Sequence, residues 1–416
     1  MLIGLAYRSL LARKLTVALT VLAIAMSVAL FLGVEKVRTG TQASFMDTIA
    51  GTDLIVGART GSVQLLLYSV FHIGNATNNI GWDSLQEVSK LPGVDWTVPI
   101  SLGDSHRQFR VMGTTAEFFE RYQFRRGQQL NFAQGNAFND LFDTVIGADV
   151  AKQLGYHLGD PIVVAHGLMS FSKHDEHPFR VTGILAKTGT PVDRTVMVSL
   201  QAIEAIHVDW QQGTKKSGQS TPAQVLRDMP LQPKTVTAAL VGTTSPIKIF
   251  SLQRAINNYP NEPLQAVMPG VALQELWHLV GVAETALLVI STMVIVTALL
   301  GMMANVFAGL NERRREMAIY RAMGAGPRTI FLLLMTETLL VVGSGCLLGV
   351  LMVYVFLGLG QGYIDQQFGI WLELGLPSAR ELQAIVAIMV AGVCVSVLPA
   401  LRAYRFSLAD GMMVKS

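Results

Sequence analysis

The sequence predicts a membrane protein of four transmembrane α-helices, with one large α+β extracytoplasmic domain inserted between helices 1 and 2. Three observations predict it. Hydrophobic residues make up 51% of the 416-residue chain and charged residues only 15%, against roughly 25% charged in an average soluble domain. Four apolar stretches, approximately 15–34, 279–307, 330–359 and 382–401, are long enough to cross a hydrocarbon core that needs about 20 helical residues. Basic residues cluster before the first stretch, between the second and third, and after the fourth, and the segment 360–379 between the third and fourth has none.

The first apolar stretch follows Arg8, Arg13 and Lys14, as the core of a signal peptide would. Its length and the lack of a small-x-small cleavage site make it an uncleaved anchor instead. Arg313, Arg314, Arg315, Arg321 and Arg328 separate the second and third stretches, and Arg402, Arg405 and Lys415 follow the fourth. The segment 360–379 carries Asp365 and Glu373 with no lysine or arginine. Since each basic residue costs about 2.5 to 3.5 kcal/mol at the bilayer centre, and cytoplasmic loops hold the excess of them, both termini and the arginine-rich loop are expected in the cytoplasm. The expected order is a cytoplasmic segment at 1–14, spans at 15–36, 278–307, 329–359 and 381–402, a periplasmic domain at 37–277, a cytoplasmic loop at 308–328, a short periplasmic loop at 360–380 and a tail at 403–416. Spans two and three exceed the hydrocarbon thickness, so each must tilt strongly or project as a stalk.

The two cysteines, Cys346 and Cys394, both fall in apolar runs. No disulfide framework holds the polar domain, which therefore needs an ordinary core. Within that domain, β-branched runs predict strands over 53–56, 95–100, 109–113, 144–146, 161–165, 179–185, 195–198 and 236–241. Helical patterns cover 82–90, 115–122, 149–154, 200–206 and 247–257. The stretch 211–222, rich in Gly, Ser, Thr, Gln and Lys, reads as a mobile loop.

That loop contains a near miss to the phosphate-cradling G-x4-G-K-[ST], from Gly213 to Ser220. Gln219 stands where a lysine must reach the phosphates, and no strand feeds the turn, so that motif assigns no nucleotide site and no cofactor to this chain. No G-x-S-x-G or H-E-x-x-H is present, no catalytic residue is assigned, and an enzyme is not expected. The formal charge of +3 gives no reason to expect nucleic acid. His166, His174, Asp175 and His177, beside Glu176, combine imidazole and carboxylate in a way that suits zinc. A solvated hairpin tip whose histidines bind nothing would give the same pattern.

The segment from Asn311 to Ala325, N-E-R-R-R-E-M-A-I-Y-R-A-M-G-A, is the most informative. Glu312 and Glu316 stand one turn apart with Arg313, Arg314 and Arg315 between them, Met317, Ile319, Tyr320 and Met323 give an apolar component, and Gly324 is placed to cap a short exposed helix. This string closely resembles the E-R-R-R-E-I-x-x-L-R-A-L-G-A segment of the MacB/FtsX family of ABC permeases. The third span, with Glu337 followed by Gly343, Gly345 and Gly349, is similar to that family's third span. So is the exit Leu398-Pro-Ala-Leu-Arg402-Ala, and the opening 5–14 resembles the family's amphipathic N-terminal helix.

The resemblance implies a multi-pass permease of the bacterial inner membrane, of the mechanotransmission type and related to lipoprotein-release and macrolide-export permeases. It implies a cytoplasmic ABC ATPase as partner, which carries the ATP and Mg, a homodimer or a pair of like permeases, and room for a periplasmic partner. Asn311, Glu312, Arg313, Arg314, Arg315, Glu316, Met317, Arg321, Met323 and Gly324 are then the ATPase-coupling residues. The expected function is export or extraction of a substrate at the periplasmic side. Regulation of a periplasmic partner, as in FtsX, and the permease of a divalent-metal (zinc) homeostasis system are the alternatives. Glu337, an acid inside a span, is either paired locally or involved in ion coupling. The glycine series lets its helix approach a neighbouring span or a second protomer closely.

Overall fold

The computed structural model describes residues 2–125, 127–167, 176–211, 214–215, 221–312, 314–368, 372 and 375–404. The chain divides into two compact units, one made of Met1–Thr41, Val280–Ile364 and Leu372–Ser416, the other of Gln42–Leu279 and Asp365–Trp371.

Among the described residues, four helices are long and apolar enough to cross a membrane: Lys14–Asp47, Pro269–Leu310, Pro327–Asp365 and Ala379–Tyr404. They coincide with the four apolar stretches of the sequence. The second belongs to a helix, Pro269–Glu312, of 44 residues, about 66 Å at 1.5 Å per residue and roughly twice the hydrocarbon thickness. The third helix, Pro327–Phe368, has 42 residues and continues well past the end its apolar run suggests. Large apolar side chains such as Leu15, Leu19, Met26 and Leu347 point outward from the helices, as they do where lipid is the solvent.

Since lipid is as apolar as leucine, close packing and polar contacts must hold such helices together. Gly345 and Gly349 supply close packing. A Cβ on Gly345 would lie 2.7 Å from Ile24, and one on Gly349 would lie 2.7 Å from the carbonyl oxygen of Ala25 and 2.8 Å from Val28. Two glycines one turn apart thus admit one face of the first spanning helix, whereas among the described residues a Cβ on Gly343 would meet nothing within 4 Å. Polar contacts gather past Val34. Arg38 donates to both carboxylate oxygens of Glu35, at 2.9 and 2.7 Å, and stands 3.6 Å from Glu284. Lys36 pairs with the buried Glu381 at 3.4 Å. Glu381 also accepts from the Ser378 amide at 2.8 Å while its own amide lies 3.3 Å from the Ser378 hydroxyl, a reciprocal cap that starts the last helix.

The second unit is built on a mixed sheet of eleven strands among the described residues. Its main path runs Leu264–Val267, Leu54–Ala58, Ala238–Thr243, Val94–His106, Phe109–Thr114, Thr195–Ser199, Asp143–Ile146, Phe179–Leu185 and Phe132–Gly135. Thr195–Ser199 is parallel to Phe109–Thr114, and Phe179–Leu185 is parallel to Asp143–Ile146. Side chains alternate across the strands, and both faces are buried. Val196 and Val198 enter one core with Val111 and Phe179, while Met197 enters another with Met112 and Val145. Leu54 and Val56 point into a third core, and Ile55 points the opposite way.

The predicted α+β domain is therefore present, with differences of detail. The expected strand 161–165 is two short ones: Pro161–Ile162 pairs with Phe179–Leu185, and Ala165–His166 pairs with Val94–His106. The strand Leu264–Val267 and the helix Ser62–Ser69 were not expected. Trp210–Gln211 and Thr214–Lys215 form a small antiparallel pair inside the expected loop; 212–213 and 216–220 lie outside the described residues.

Candidate functional site

Of the predicted coupling residues, Arg313 lies outside the described residues, and Asn311, Glu312, Arg314 and Arg315 are described by their backbone. The short helix Arg314–Ala322 follows directly on the second spanning helix. Met317 is buried with Leu310, Ile330, Leu334, Ala400 and Ala403, which anchors the helix to the ends of three spans. At about 100° per residue, Ile319 lies roughly opposite Met317, and Met323 lies one turn beyond Ile319. Both are exposed, at 56% and 70%, as is Glu316. Arg321 donates to the carbonyl of Tyr404 at 3.1 Å. Gly324 takes φ 92°, and the Ala325 amide closes back on the Tyr320 carbonyl at 2.9 Å, a Schellman stop that a residue with a Cβ would strain. The result is a short capped helix whose buried Met317 lies opposite an exposed face that carries Ile319 and Met323.

Glu337 is buried and lines a cavity of about 90 Å³ with Arg13, Thr16, Thr20, Asn305 and Thr338. Asn305 donates to the Thr20 hydroxyl at 3.1 Å. A Cβ on Gly309 would come within 2.5 Å of Nη1 of Arg13, so the arginine occupies a place that only glycine leaves open. Glu337 thus sits in a polar seam with a basic residue from the N-terminal end of the first spanning helix.

Among the predicted metal residues, His174 and Asp175 lie outside the described residues. His177 stacks on Phe142, ring centroids 5.3 Å apart. His166 instead meets two residues that the sequence did not single out, Asp104 and His207, and these three converge with ligand atoms all within 4.8 Å of one another. Asp104 and His166 are directly opposed in the pairing of Val94–His106 with Ala165–His166. His207 ends the helix Leu200–His207, whose start is fixed by Ser199 accepting from the Ala202 amide. Nδ1 of His166 is 3.2 Å from Oδ1 of Asp104 and 3.1 Å from Nε2 of His207. The Asp104 carboxylate raises the pKa of His166 above its ordinary value. His106, on the same strand, has both ring nitrogens engaged, at 2.6 Å by the Val163 carbonyl and at 2.9 Å by the Tyr156 hydroxyl, and burial lowers its pKa.

The same unit has a cleft of about 550 Å³ lined by Phe45, Phe71, His72, Arg110, Lys187 and Arg194 among others. Lys187 is held by Asp149 at 2.7 Å and by Asp193 at 3.2 Å. Arg110 donates to Asn75 at 2.9 Å and to the Gly74 carbonyl at 2.6 Å. Burial, with the Arg110 charge adding to it, pushes the His72 pKa down to about 4. The ring stays neutral near pH 7 and lies 3.0 Å from the Thr195 hydroxyl.

Residues 17–257 match the family model described as the MacB-like periplasmic core domain, and residues 288–408 match the FtsX-like permease C-terminal model. Among solved structures, the chain is similar to the periplasmic region of MacB from Actinobacillus actinomycetemcomitans, at 12% identity and TM-score 0.34, over 55% of this chain and 94% of that one. It is similar also to the extracellular domain of the noncanonic ABC-type transporter YknZ from Gram-positive bacteria, at 13% identity and TM-score 0.30, over 52% and 99%. No protein of curated function matches the chain.

Proposed function

The chain belongs to the MacB/FtsX family of ABC transporter permeases, and from that premise we propose that it relays ATP-driven motion to its outer domain to export or extract a substrate at the periplasmic side. Permeases of this family work with a cytoplasmic ABC ATPase. The observation that carries the reading is the helix Arg314–Ala322, with Met317 buried against the spans and Ile319 and Met323 left bare. A helix rooted on one side and apolar on the other suits docking in a groove. ATP-driven closure of the ATPase would move that helix and, through it, the 44-residue helix that precedes it. Substrate need not cross the bilayer. The reading places the chain in the inner membrane with both termini in the cytoplasm, supported by Arg8, Arg13, Lys14 and the arginines from Arg313 to Arg328. It also pairs the permease with a second copy or a like permease.

An Ile319→Asp/Met323→Asp double variant tests it, because both side chains are exposed and the spans keep their packing. In membranes where the variant inserts normally, co-purification of the ABC ATPase that accompanies the wild-type chain should fall at least about tenfold, the equivalent of 1.4 kcal/mol. Undiminished recovery of the ATPase refutes the docking role of this face.

A further inference from the structure

We propose that Asp104, His166 and His207 form a zinc site on the outer domain, with Oδ1, Nδ1 and Nε2 as the three protein ligands. The spacing fits. Tetrahedral zinc with bonds of about 2.0 to 2.1 Å holds its ligand atoms about 3.3 Å apart. The three separations here are 3.1 Å between the imidazole nitrogens, 3.2 Å from Asp104 to His166 and 3.8 Å from Asp104 to His207.

Protonation fits as well. Nδ1 of His207 lies 2.7 Å from the carbonyl oxygen of Ile203, which only accepts, so that nitrogen carries the proton. In the neutral ring this leaves a lone pair on Nε2, facing the cluster, in the way an outer hydrogen bond fixes the tautomer of a metal-ligating histidine. Asp104 is 3% exposed, and among the described residues its Oδ1 is a buried oxygen without a hydrogen-bond partner of good geometry, although Nδ1 of His166 is near. A buried carboxylate oxygen and an imidazole lone pair therefore converge on Nδ1 of His166, which can offer a single proton. A buried acceptor left unmet loses its hydration with nothing to replace it, which is destabilising. A divalent cation in place of that proton satisfies all three atoms at once.

The donor set selects the ion class, because two imidazoles and one carboxylate suit zinc and its neighbours rather than calcium or magnesium, which prefer all-oxygen shells. His166 and His207 are partly open to solvent, with side chains 46% and 27% exposed. The fourth position thus faces outward, the arrangement of a site that exchanges its ion or adds a ligand rather than a closed structural site. The ladder that opposes Asp104 and His166 holds two of the ligands on rigid backbone. Nothing in the site depends on the ATPase, so it stands or falls apart from the relay of motion.

The test titrates Zn²⁺ against the full chain in lipid nanodiscs, by competition with a chromophoric chelator, and records the visible absorption of the Co²⁺ form. One ion per chain is expected, with the intense bands of a tetrahedral site. His166→Ala, at a partly exposed position, and the near-isosteric Asp104→Asn should each weaken Zn²⁺ binding at least about tenfold while the unliganded melting temperature stays close to wild type. His174→Ala/His177→Ala should bind as wild type does. A wild-type chain that does not bind Zn²⁺ at micromolar concentration overturns the proposal. So does binding that persists unchanged in both His166→Ala and Asp104→Asn, or that disappears only in His174→Ala/His177→Ala.

Discussion

Alanine at three glycines of one helix should give three different outcomes, because the space in front of each differs. At Gly349 the added Cβ would sit 2.7 Å from the Ala25 carbonyl oxygen and 2.8 Å from Val28. To restore an ordinary 3.4 Å contact, the first and third spanning helices must part locally by about 0.7 Å, a gap that forfeits between a quarter and a half of each facing dispersion contact. Overpacking of this kind costs about 1 to 3 kcal/mol, and Gly349→Ala belongs at the upper end because the blocking atom is backbone. At Gly345 the obstacle is the side chain of Ile24 at 2.7 Å, with the Val21 carbonyl farther away at 3.3 Å. The Cβ of Ile24, at 2.8 Å, moves only with its backbone, but the nearest carbonyl oxygen stands 0.6 Å farther off than at Gly349 (3.3 against 2.7 Å), so Gly345→Ala should cost less, toward the lower end of the same range. At Gly343 nothing lies within 4 Å, and what remains is the helix preference for alanine over glycine, worth up to about 1 kcal/mol. Gly343→Ala should therefore leave stability unchanged or raise it. Thermal unfolding of the three variants in the same lipid nanodiscs checks the order. If Gly343→Ala destabilises as much as Gly349→Ala, the close approach of these two helices is wrong.

Two further outcomes follow from buried charge. His72, with a folded pKa of about 4 against 6.5 unfolded, binds fewer protons folded than unfolded between those values. Its contribution is whole above pH 6.5 and is lost as pH falls through the window down to 4, about 3 kcal/mol in all at 1.36 kcal/mol per unit. His72→Gln, which can still donate to Thr195, should flatten that part of a pH series of melting temperatures; an unchanged slope refutes the assignment. Arg38→Ala strands the buried Glu35 and removes the partner of Glu284, and should cost about 3 kcal/mol, the penalty for unpairing a buried charge. Adding Glu35→Gln should recover part of the loss, measured as a coupling in a double-mutant cycle of unfolding free energies; strict additivity would show that the pair does not interact.

The spans were legible in the sequence because hydrocarbon imposes a length and a composition that few other settings demand. The capped helix ending at Gly324 was legible for a related reason: a glycine after an apolar, arginine-rich turn has one local use, and its φ of 92° is that use. The glycine series was half legible. Gly343, Gly345 and Gly349 announce close approach as a group, but rotation about the helix axis decides which of them face a neighbour, and only Gly345 and Gly349, one turn apart, share the face turned to Ile24, Ala25 and Val28.

The histidine cluster shows where local reading fails. Sequence proximity groups His166 with His174, Asp175 and His177, whereas the sheet brings His166 against Asp104 through strand register and against His207 through the end of a helix. Neither Asp104 nor His207 stands in a spacing that signals metal, because His166 is far from both in the chain, 41 residues from His207 and farther still from Asp104. The predicted strand 95–100 stops short of Asp104, which lies on the continuation of that strand in Val94–His106, and a carboxylate buried there must find a cation or a donor. His166 supplies only part of that need, since a partly exposed imidazole shares one proton between two acceptors. The burial of Asp104 at 3% is thus the feature that a search of the sequence for histidine spacing could not reveal, and the feature on which metal binding at this position most depends.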